Sequence, residues 1–433
     1  MTASLIAIVI LLVLCVLGVR IGVATLLVGF FGFAIERGFG PAMQMSGQRI
    51  LDDAMNYNLS VIPLFVLMGV FIYRADVSSE LYEAAHRAFR RTRGGLAHST
   101  ILACAGFAAV CGSSLATAAT MTKVAMPSMR RHHYRDSLST GTVAAGGTLG
   151  IMIPPSVPMV IYGIIAEQDV GRLFLAGMLP GALLVLLFMG VVWLWTKRDP
   201  SAAPMEAQTD PAAATGSGGA LVVWPVVGLF VLVLGGIYGR LFTPTEAAGV
   251  GAVGAAAIAI SRGKLRTFHE WMESLVETAR TSAALFLVIF GALVFAEYAN
   301  YTGLPFAITD WVDALNLSPF MLVVVIAMIA ILMGMVFESI GILLLLVPVF
   351  MPALIDANVD MIWFGIIIVL VTELGLITPP VGMNVFVVKS VLPDANLTEM
   401  FRGVMPFVAA MLVALILLLL IPQIATVIPD LVY

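Results

Sequence analysis

The chain has 433 residues, of which 61% are hydrophobic and 11% are charged, and its formal net charge is −4. Ordinary soluble domains carry about a quarter charged residues, so this composition excludes a soluble globular protein. Apolar runs of about 20 residues, enough to cross a hydrocarbon core of about 30 Å, recur along the chain and leave no room for a separate soluble domain. We therefore expect one all-α polytopic domain in a lipid bilayer.

The first apolar run, residues 4 to 18, has the length of the hydrophobic part of a secretory signal peptide. A signal peptide begins with a positively charged region. Here no Lys or Arg precedes the apolar run, and a second apolar segment follows directly. We therefore expect a first span that is retained.

A linker-like segment, residues 197 to 220, is rich in Ala, Pro, Gly and Ser and divides the chain nearly in half. Landmarks on its two sides correspond. Residues 150–156 (GIMIPPS) match residues 375–381 (GLITPPV), and residues 177–180 (GMLP) match residues 403–406 (GVMP). Such matches at a nearly constant offset are typical of an internal duplication.

The spacing within each half also agrees. Ser113 stands 41 residues before Pro154, and Glu338 stands 41 residues before Pro379, each in a break between two apolar runs. The duplication therefore predicts a cytoplasmic linker at 197–220 between two repeats, residues 1–196 and 221–433.

The charges give each half an orientation. Residues 86 to 98 and 130 to 135 together contain seven arginines, and loops rich in Lys and Arg are retained in the cytoplasm. The two apolar runs between them, about residues 96 to 129, must then enter and leave on one face. They are predicted to form a re-entrant hairpin with its tip at residues 112–114.

Around the second break the charge pattern is reversed. No Lys or Arg occurs between Thr281 and Val388, and the flanks of the apolar pair carry aspartates instead. The second hairpin, about residues 318 to 355, is therefore predicted to open to the outside. Two homologous hairpins that enter from opposite faces define an inverted-topology repeat, a common design of secondary transporters.

Each proline pair predicts a broken helix, over about residues 139 to 166 in the first half and 361 to 388 in the second. A break inside hydrocarbon frees backbone carbonyls, so it is tolerated only where it lines a cavity or packs on protein. Freed carbonyls beside hydroxyl groups suit sodium, and the N-termini of half-helices favour anions. We expect each tip to lie against the break of its own half.

The candidate ligands are residues at or beside the tips and breaks. Those expected to bind substrate are Ser113, Ser114, Thr117, Ser156, Gly382 and Asn384. Those expected to coordinate sodium are Ser113, Gly147, Thr148, Gly150, Pro154, Gly334, Glu338, Thr372, Gly375, Thr378 and Pro379. Apart from sodium as the coupling ion, no cofactor is expected.

A structural interpretation of the same residues stays open. Gly, Ser, Ala and Thr are also the usual helix-packing residues in membranes. Glu338 and Glu373 are acids within apolar segments, where a buried acid is expensive unless it is functional or paired; Glu338 could instead cap the helix that follows it. The role of Lys123, a lone charge within the first hairpin, is also open.

At these residues the chain resembles a family, the large membrane subunit of tripartite ATP-independent periplasmic (TRAP) transporters. The resemblance covers essentially the whole chain. Its most specific parts are RGGL at 93–96, GSSLATAA at 112–119, IPPSVPM at 153–159 with YG at 162–163, TPTEAA at 243–248 and TPPVGMN at 378–384. In two respects the chain departs from the family: the second tip usually has Asp where this chain has Glu338, and Lys123 is an unusual charge within the first hairpin.

The resemblance implies an elevator mechanism, in which two hairpins and two broken helices slide within a scaffold and carry sodium and substrate. It implies two protein partners, a small four-span membrane subunit and a periplasmic substrate-binding protein. It also implies a small organic anion as substrate, usually a carboxylate. The expected location is the bacterial inner membrane, with both termini periplasmic.

Other functions are disfavoured or left as alternatives. No HExxH metal motif and no GxxxxGK[ST] nucleotide loop occurs, so neither an intramembrane metalloenzyme nor an ATP-driven pump is expected, and no nucleic-acid partner is expected. A stand-alone, ion-coupled anion carrier that needs no binding protein remains the alternative.

Overall fold

The computed structural model describes residues 2–204 and 219–432. Most of the predicted linker, residues 205–218, lies outside the described residues. Within the described residues every regular element is helical. The all-α fold class predicted from the sequence is therefore confirmed.

Twenty α-helices and two short 3-10 helices, Tyr57–Ser60 and Pro200–Ala202, occur in the described ranges. Those of the first half are α1 (Thr2–Val16), α2 (Ile21–Arg37), α3 (Phe39–Ala54), α4 (Val61–Arg74), α5 (Val77–Phe89), α6 (Gly95–Cys111), α7 (Ser114–Arg131), α8 (Asp136–Met152), α9 (Val157–Ile165) and α10 (Val170–Arg198). Those of the second half are α11 (Gly219–Tyr238), α12 (Pro244–Ser261), α13 (Phe268–Tyr301), α14 (Leu304–Ala314), α15 (Pro319–Gly334), α16 (Ser339–Asp356), α17 (Met361–Ile377), α18 (Met383–Val391), α19 (Leu397–Leu420) and α20 (Gln423–Val432).

Several of these helices have the length and composition of membrane spans. In the described part of the chain six qualify: α4 with the 3-10 helix before it, α10, α12, α13, α16 and α19. Helices α8 and α9 together, bent by 41°, make a seventh. Helices α6, α15 and α17 are apolar but shorter, with 17, 16 and 17 residues.

The two proline pairs lie in the two helix breaks. Pro154 and Pro155 separate α8 from α9, and Pro379 and Pro380 separate α17 from α18; the bond within each pair is cis. Pro lacks the N–H needed to continue a helix. After the first break Ser156 restarts the chain as the N-cap of α9, accepting a hydrogen bond from the Met159 backbone N–H at 3.4 Å.

Each predicted tip is a short turn between two packed helices. Helix α6 packs on α7, and α15 packs on α16. The first turn follows local sequence: Gly112 ends α6 with φ +61°, a conformation that glycine adopts without strain, and Ser113 caps α7 by accepting from the Ala116 N–H at 3.4 Å.

The helices that carry the breaks form the centre of the molecule. Every residue from 137 to 152 in α8 and from 362 to 377 in α17 is buried. Helix α8 packs along α6, α7 and α19, and α17 packs on α8, α9 and α15. Farther out, α13 packs along α2, and α4 packs along α12.

An ion-pair cluster joins the end of α7 to the segment after α18. Arg130 pairs through one terminal nitrogen with Asp136 at 2.7 Å and through the other with Asp394 at 2.7 Å. The hydrogen bond from Arg130 holds the pKa of the Asp394 carboxyl below its usual range. The first hairpin is thereby tied to the second broken helix at their predicted cytoplasmic ends.

Candidate functional site

The first tip lies directly against the first proline break. A β-carbon built on Gly112 would lie 3.0 Å from the carbonyl oxygen of Pro155, and one built on Gly150 would lie 3.0 Å from the carbonyl carbon of Ser113. The tip and the break thus lie so close together that neither Gly112 nor Gly150 has room for a side chain. The predicted approach of Ser113 to the break of its own half is therefore confirmed.

The second tip meets the second broken helix in the same way. A β-carbon on Gly375 would lie 2.4 Å from the Cα atom of Gly334, and one on Gly334 would lie 3.2 Å from the carbonyl oxygen of Thr372. Gly150 and Gly375 are the first residues of the two matching motifs. In both halves the helix that leads to the proline pair thus offers a glycine to the tip.

Glu373 joins the two tips to each other. Ser339, the first residue of α16, donates its hydroxyl proton to Oε1 of Glu373 at 2.8 Å. Ser114, the first residue of α7, donates to Oε2 of the same carboxylate. Glu373 lies on α17, belongs to neither hairpin and is only 1% exposed. Two hydroxyl donors offset part of the cost of burying this polar side chain.

Asn384 connects the second break to the first half. Its side-chain nitrogen donates to the Ala144 carbonyl of α8 at 3.2 Å and lies beside Gly147. Among the described residues, no donor bonds its buried Oδ1 atom. This oxygen is therefore available as an acceptor inside the core.

Some predicted ligands direct their hydroxyl protons to their own helices. Those of Thr148, Thr372 and Thr378 go to the carbonyls of Ala145, Val369 and Leu374 at 2.6, 2.8 and 2.6 Å, respectively. The Thr148 hydroxyl also contacts the Met411 sulfur of α19 at 4.0 Å. Its side chain therefore faces α19.

Other predicted residues shape the turns. Thr117 donates to the Ser113 carbonyl at 2.8 Å. Gly382 precedes α18 with φ +64°. Glu338 occupies the N-cap position of α16, but its side chain forms no capping hydrogen bond. The interpretation of Glu338 as a helix cap therefore fits its position and not its contacts.

Both tips line one cavity of about 350 Å³. Its wall is mostly apolar, with polar groups from the tips and from α4, α7 and α13. The residues that contribute polar side chains are Tyr73, Ser113, Ser114, Thr120, Lys123, Glu277, Thr281, Glu338 and Ser339. This volume falls within the range of small-ligand sites.

A second, wider cavity adjoins the first. It is also lined by Tyr73, Thr120 and Lys123, and it extends along α5 toward Lys264. The end of α5 carries the arginines from which a cytoplasmic location is predicted. The two cavities thus share lining residues, and the second extends toward the predicted cytoplasmic side.

The comparison with protein families decides the identity. Residues 8–424 match the family described as "Tripartite ATP-independent periplasmic transporter, DctM component". The chain belongs to this family. The resemblance stated from the motifs is therefore confirmed, and this TRAP subunit is a component of a membrane transporter.

Two curated relatives of this TRAP subunit are of similar length. It is 36% identical over 384 residues to the C4-dicarboxylate TRAP transporter large permease protein DctM of Pseudomonas aeruginosa, covering 88% of each chain. It is 31% identical over 392 residues to the sialic acid TRAP transporter large permease protein SiaM of Vibrio cholerae, covering 90% of each.

A solved structure shares the fold. The YdaH transporter of Alcanivorax borkumensis superposes with a TM-score of 0.66 at 16% identity, covering 88% of each chain. At this identity the likeness concerns the fold alone.

The bridging role of Glu373 could not be read from the sequence. An acid inside an apolar run signals a costly group, but its two donors come from turns 259 and 34 residues away along the chain. The sequence does not mark Tyr73 and Glu277 as cavity residues, because both lie near helix segments rich in other polar residues.

Proposed function

We propose that this subunit imports a small organic anion together with sodium by an elevator movement in the inner membrane. The observation that carries the proposal is the meeting of both tips at one cavity, with the first proline break against the first tip and α17, which leads to the second break, against the end of α15. The N-termini of α7 and α16 also lie at this cavity, and helix N-termini beside broken helices are used by many ion-coupled carriers.

The anion would bind at the tips. Helices α7 and α16 both begin at the cavity, at Ser114 and Ser339, and the partial positive charge of a helix N-terminus favours an anion. The names of the two relatives, for C4-dicarboxylate and sialic acid, both specify carboxylates. We assign substrate contacts to Ser113, Ser114, Thr117, Ser156, Gly382 and Asn384.

Sodium would bind between each tip and its break, held by backbone carbonyls and hydroxyl oxygens. Ligands at the first tip would be Ser113, Gly147, Thr148, Gly150 and Pro154. Those at the second would be Gly334, Glu338, Thr372, Gly375, Thr378 and Pro379. Because the hydroxyl of Thr148 faces α19, this residue would contribute its carbonyl.

The moving body would comprise α6–α9 and α15–α18, the two predicted re-entrant hairpins and the two broken helices. Its parts contact one another across the halves: α18 packs on α7 and α8, and α16 packs on α9. Glu373 and Arg130 add polar links between the halves. A body held together in this way can slide as one unit.

We propose that two partners complete the transporter, as the word tripartite in the family description suggests. One is a small membrane subunit that extends the scaffold. The other is a periplasmic binding protein that delivers the anion. Both termini of the present chain would face the periplasm.

Labelling of single cysteines should reveal the inverted topology. Cysteines placed at residues 86–98 and at 130–135 should react only from the cytoplasm, and those at 300–317 and 355–360 only from the periplasm. The expectation follows from the retention of arginine-rich loops in the cytoplasm. If the two flanks of either hairpin react from opposite sides, that hairpin is a pair of full spans and the inverted repeat is wrong.

Uptake into proteoliposomes that contain both membrane subunits should require a sodium gradient and a loaded binding protein. The variants Ser113→Ala and Thr378→Ala should each raise the sodium concentration for half-maximal uptake about fivefold, because each removes one oxygen worth roughly 1 kcal/mol. Initial rates measured over a sodium titration test this.

Ser390→Ala is the matched control, since the Ser390 hydroxyl also bonds to its own helix, at the Val387 carbonyl, but is exposed and outside the cavity. It should leave the sodium dependence unchanged. Equal uptake with potassium in place of sodium would remove sodium from the mechanism. Full uptake without the binding protein would favour the stand-alone carrier instead.

A further inference from the structure

Another cavity, which we call the basic cavity, lies at the base of the first hairpin, away from the tips. It has a volume of about 380 Å³ and is lined by the end of α5, the turn before α6, the first turn of α6 and the end of α10. Its two cations are Arg93 and Lys197, both exposed. In the described part of the chain no carboxylate lines this cavity, and no acid forms an ion pair with either cation. The basic cavity therefore carries an uncompensated positive charge.

His98 adds a buried polar group to the same cavity. Its side chain lines the cavity, is only 7% exposed and stacks on Phe89 with the ring centroids 5.5 Å apart. Among residues 2–204 and 219–432, no group forms a hydrogen bond with its buried Nδ1 atom. A buried polar atom without a partner is destabilising. A ligand that accepts a hydrogen bond from Nδ1–H would remove this cost.

The two cations lie on different elements that are packed together. A β-carbon built on Gly94 would lie 2.8 Å from the methyl carbon of Thr196, so the turn before α6 lies directly against the end of α10. Arg93 precedes this contact in the turn, and Lys197 follows it on α10. A single group with several anionic oxygens can therefore contact both cations at once.

The exposed side of α10 indicates what kind of molecule carries that group. Leu186, Trp193 and Leu194 are exposed on this helix and form an apolar surface that suits acyl chains. Trp193 lines the basic cavity, and Nζ of Lys197 lies over its ring, 4.8 Å from the centroid. Trp is enriched where a membrane helix meets the headgroups, and lysines near helix ends extend to that depth. The basic cavity thus lies at headgroup level, on the predicted cytoplasmic side.

We infer that the basic cavity binds the phosphodiester headgroup of an anionic phospholipid of the cytoplasmic leaflet. Arg93, Lys197 and His98 are the donors to the phosphate oxygens, and the acyl chains lie along α10. Charge-assisted hydrogen bonds to phosphate are among the strong ones. Because no carboxylate lines the cavity, a headgroup without a cation of its own, such as that of phosphatidylglycerol, fits better than a zwitterionic one. The inference is independent of the molecule that is transported.

Short-chain lipids test the inference on the full-length chain purified in detergent. Dioctanoyl phosphatidylglycerol, dioctanoyl phosphatidylcholine and inorganic phosphate are each titrated, and binding is followed by the shift of the thermal unfolding midpoint. We expect phosphatidylglycerol to bind about tenfold tighter than phosphatidylcholine, because the choline ammonium group is repelled by the two cations. Inorganic phosphate should bind much more weakly than phosphatidylglycerol, because it has no chains to pack on α10.

Variants decide whether the basic cavity is responsible. Arg93→Gln combined with Lys197→Gln should reduce the preference for phosphatidylglycerol to about twofold or less. The matched control is Arg91→Gln combined with Arg198→Gln. It removes two exposed cations from the same two segments, but neither of them lines the cavity, so the wild-type preference should remain. His98→Phe keeps an aromatic ring and removes the donor, and it should weaken phosphatidylglycerol binding about fivefold.

Four results would overturn the inference. The first is equal or undetectable binding of the two lipids, and the second is an unchanged preference in the Arg93 and Lys197 double variant. The third is binding of inorganic phosphate as tight as that of phosphatidylglycerol, which would assign the cavity to a free anion. The fourth is loss of the preference when the proposed small membrane subunit is bound, which would show that protein covers the cavity. If the buried His98→Phe substitution prevents folding, the double variant of exposed cations decides alone.

Discussion

Sodium-driven uptake is expected to fall at least about 100-fold in Glu373→Ala. The substitution removes the shared acceptor of Ser114 and Ser339 and leaves two buried hydroxyl donors without a partner. A buried hydroxyl donor left without a partner costs about 1–3 kcal/mol, and a tenfold change corresponds to about 1.4 kcal/mol. Loss of both bonds releases the tips from each other, so the sodium and substrate ligands no longer share one geometry.

Initial uptake rates per folded transporter, with folded protein measured by size-exclusion chromatography, test this prediction. Glu373→Gln should lose less activity than Glu373→Ala, because its amide oxygen still accepts from one of the two serines. Glu399→Ala replaces an exposed glutamate in the first turn of α19 and should behave as wild type. A rate for Glu373→Ala within a few-fold of wild type would show that the bridge between the tips is dispensable.

The second large effect is expected for Gly375→Ala. Its β-carbon would lie 2.4 Å from the Cα atom and 2.5 Å from the carbonyl carbon of Gly334. Backbone atoms cannot rotate away as a flexible side chain can, so the second tip must separate from α17. Overpacking of this kind costs about 1–3 kcal/mol. We expect uptake at limiting sodium to fall more than about tenfold, with a smaller loss at saturating sodium.

Gly190→Ala is the control for this variant. It also places alanine inside a long helix, α10, but no heavy atom lies within 4 Å of the new β-carbon. Alanine is favoured over glycine in a helix by about 1 kcal/mol, so this control should be neutral or slightly stabilised. Wild-type sodium dependence in Gly375→Ala would contradict the close packing of the second tip on α17.

Much of the architecture is determined locally and could therefore be predicted. Long apolar runs predict helices directly, because a backbone in hydrocarbon must satisfy its hydrogen bonds within a helix. Proline pairs end helices wherever they occur, and they do so between α8 and α9 and between α17 and α18. The tip at residues 112–114 follows in the same way from a glycine C-cap and a serine N-cap. The sequence motifs also indicated the family, which the comparison confirmed.

The arrangement of side chains within the site depends on packing between distant segments. Sequence placed Thr148 beside the first break, but the orientation of its side chain is set by α19, through Met411. Sequence singled out Glu373 as an unusual acid, but only the packing of α7 and α16 around α17 shows that it bridges both tips. The sequence by itself thus determined which segments break and where the polar groups lie along the chain. The tertiary structure decided which groups meet, because burial, hydrogen bonding and cavity shape arise from contacts between residues hundreds of positions apart.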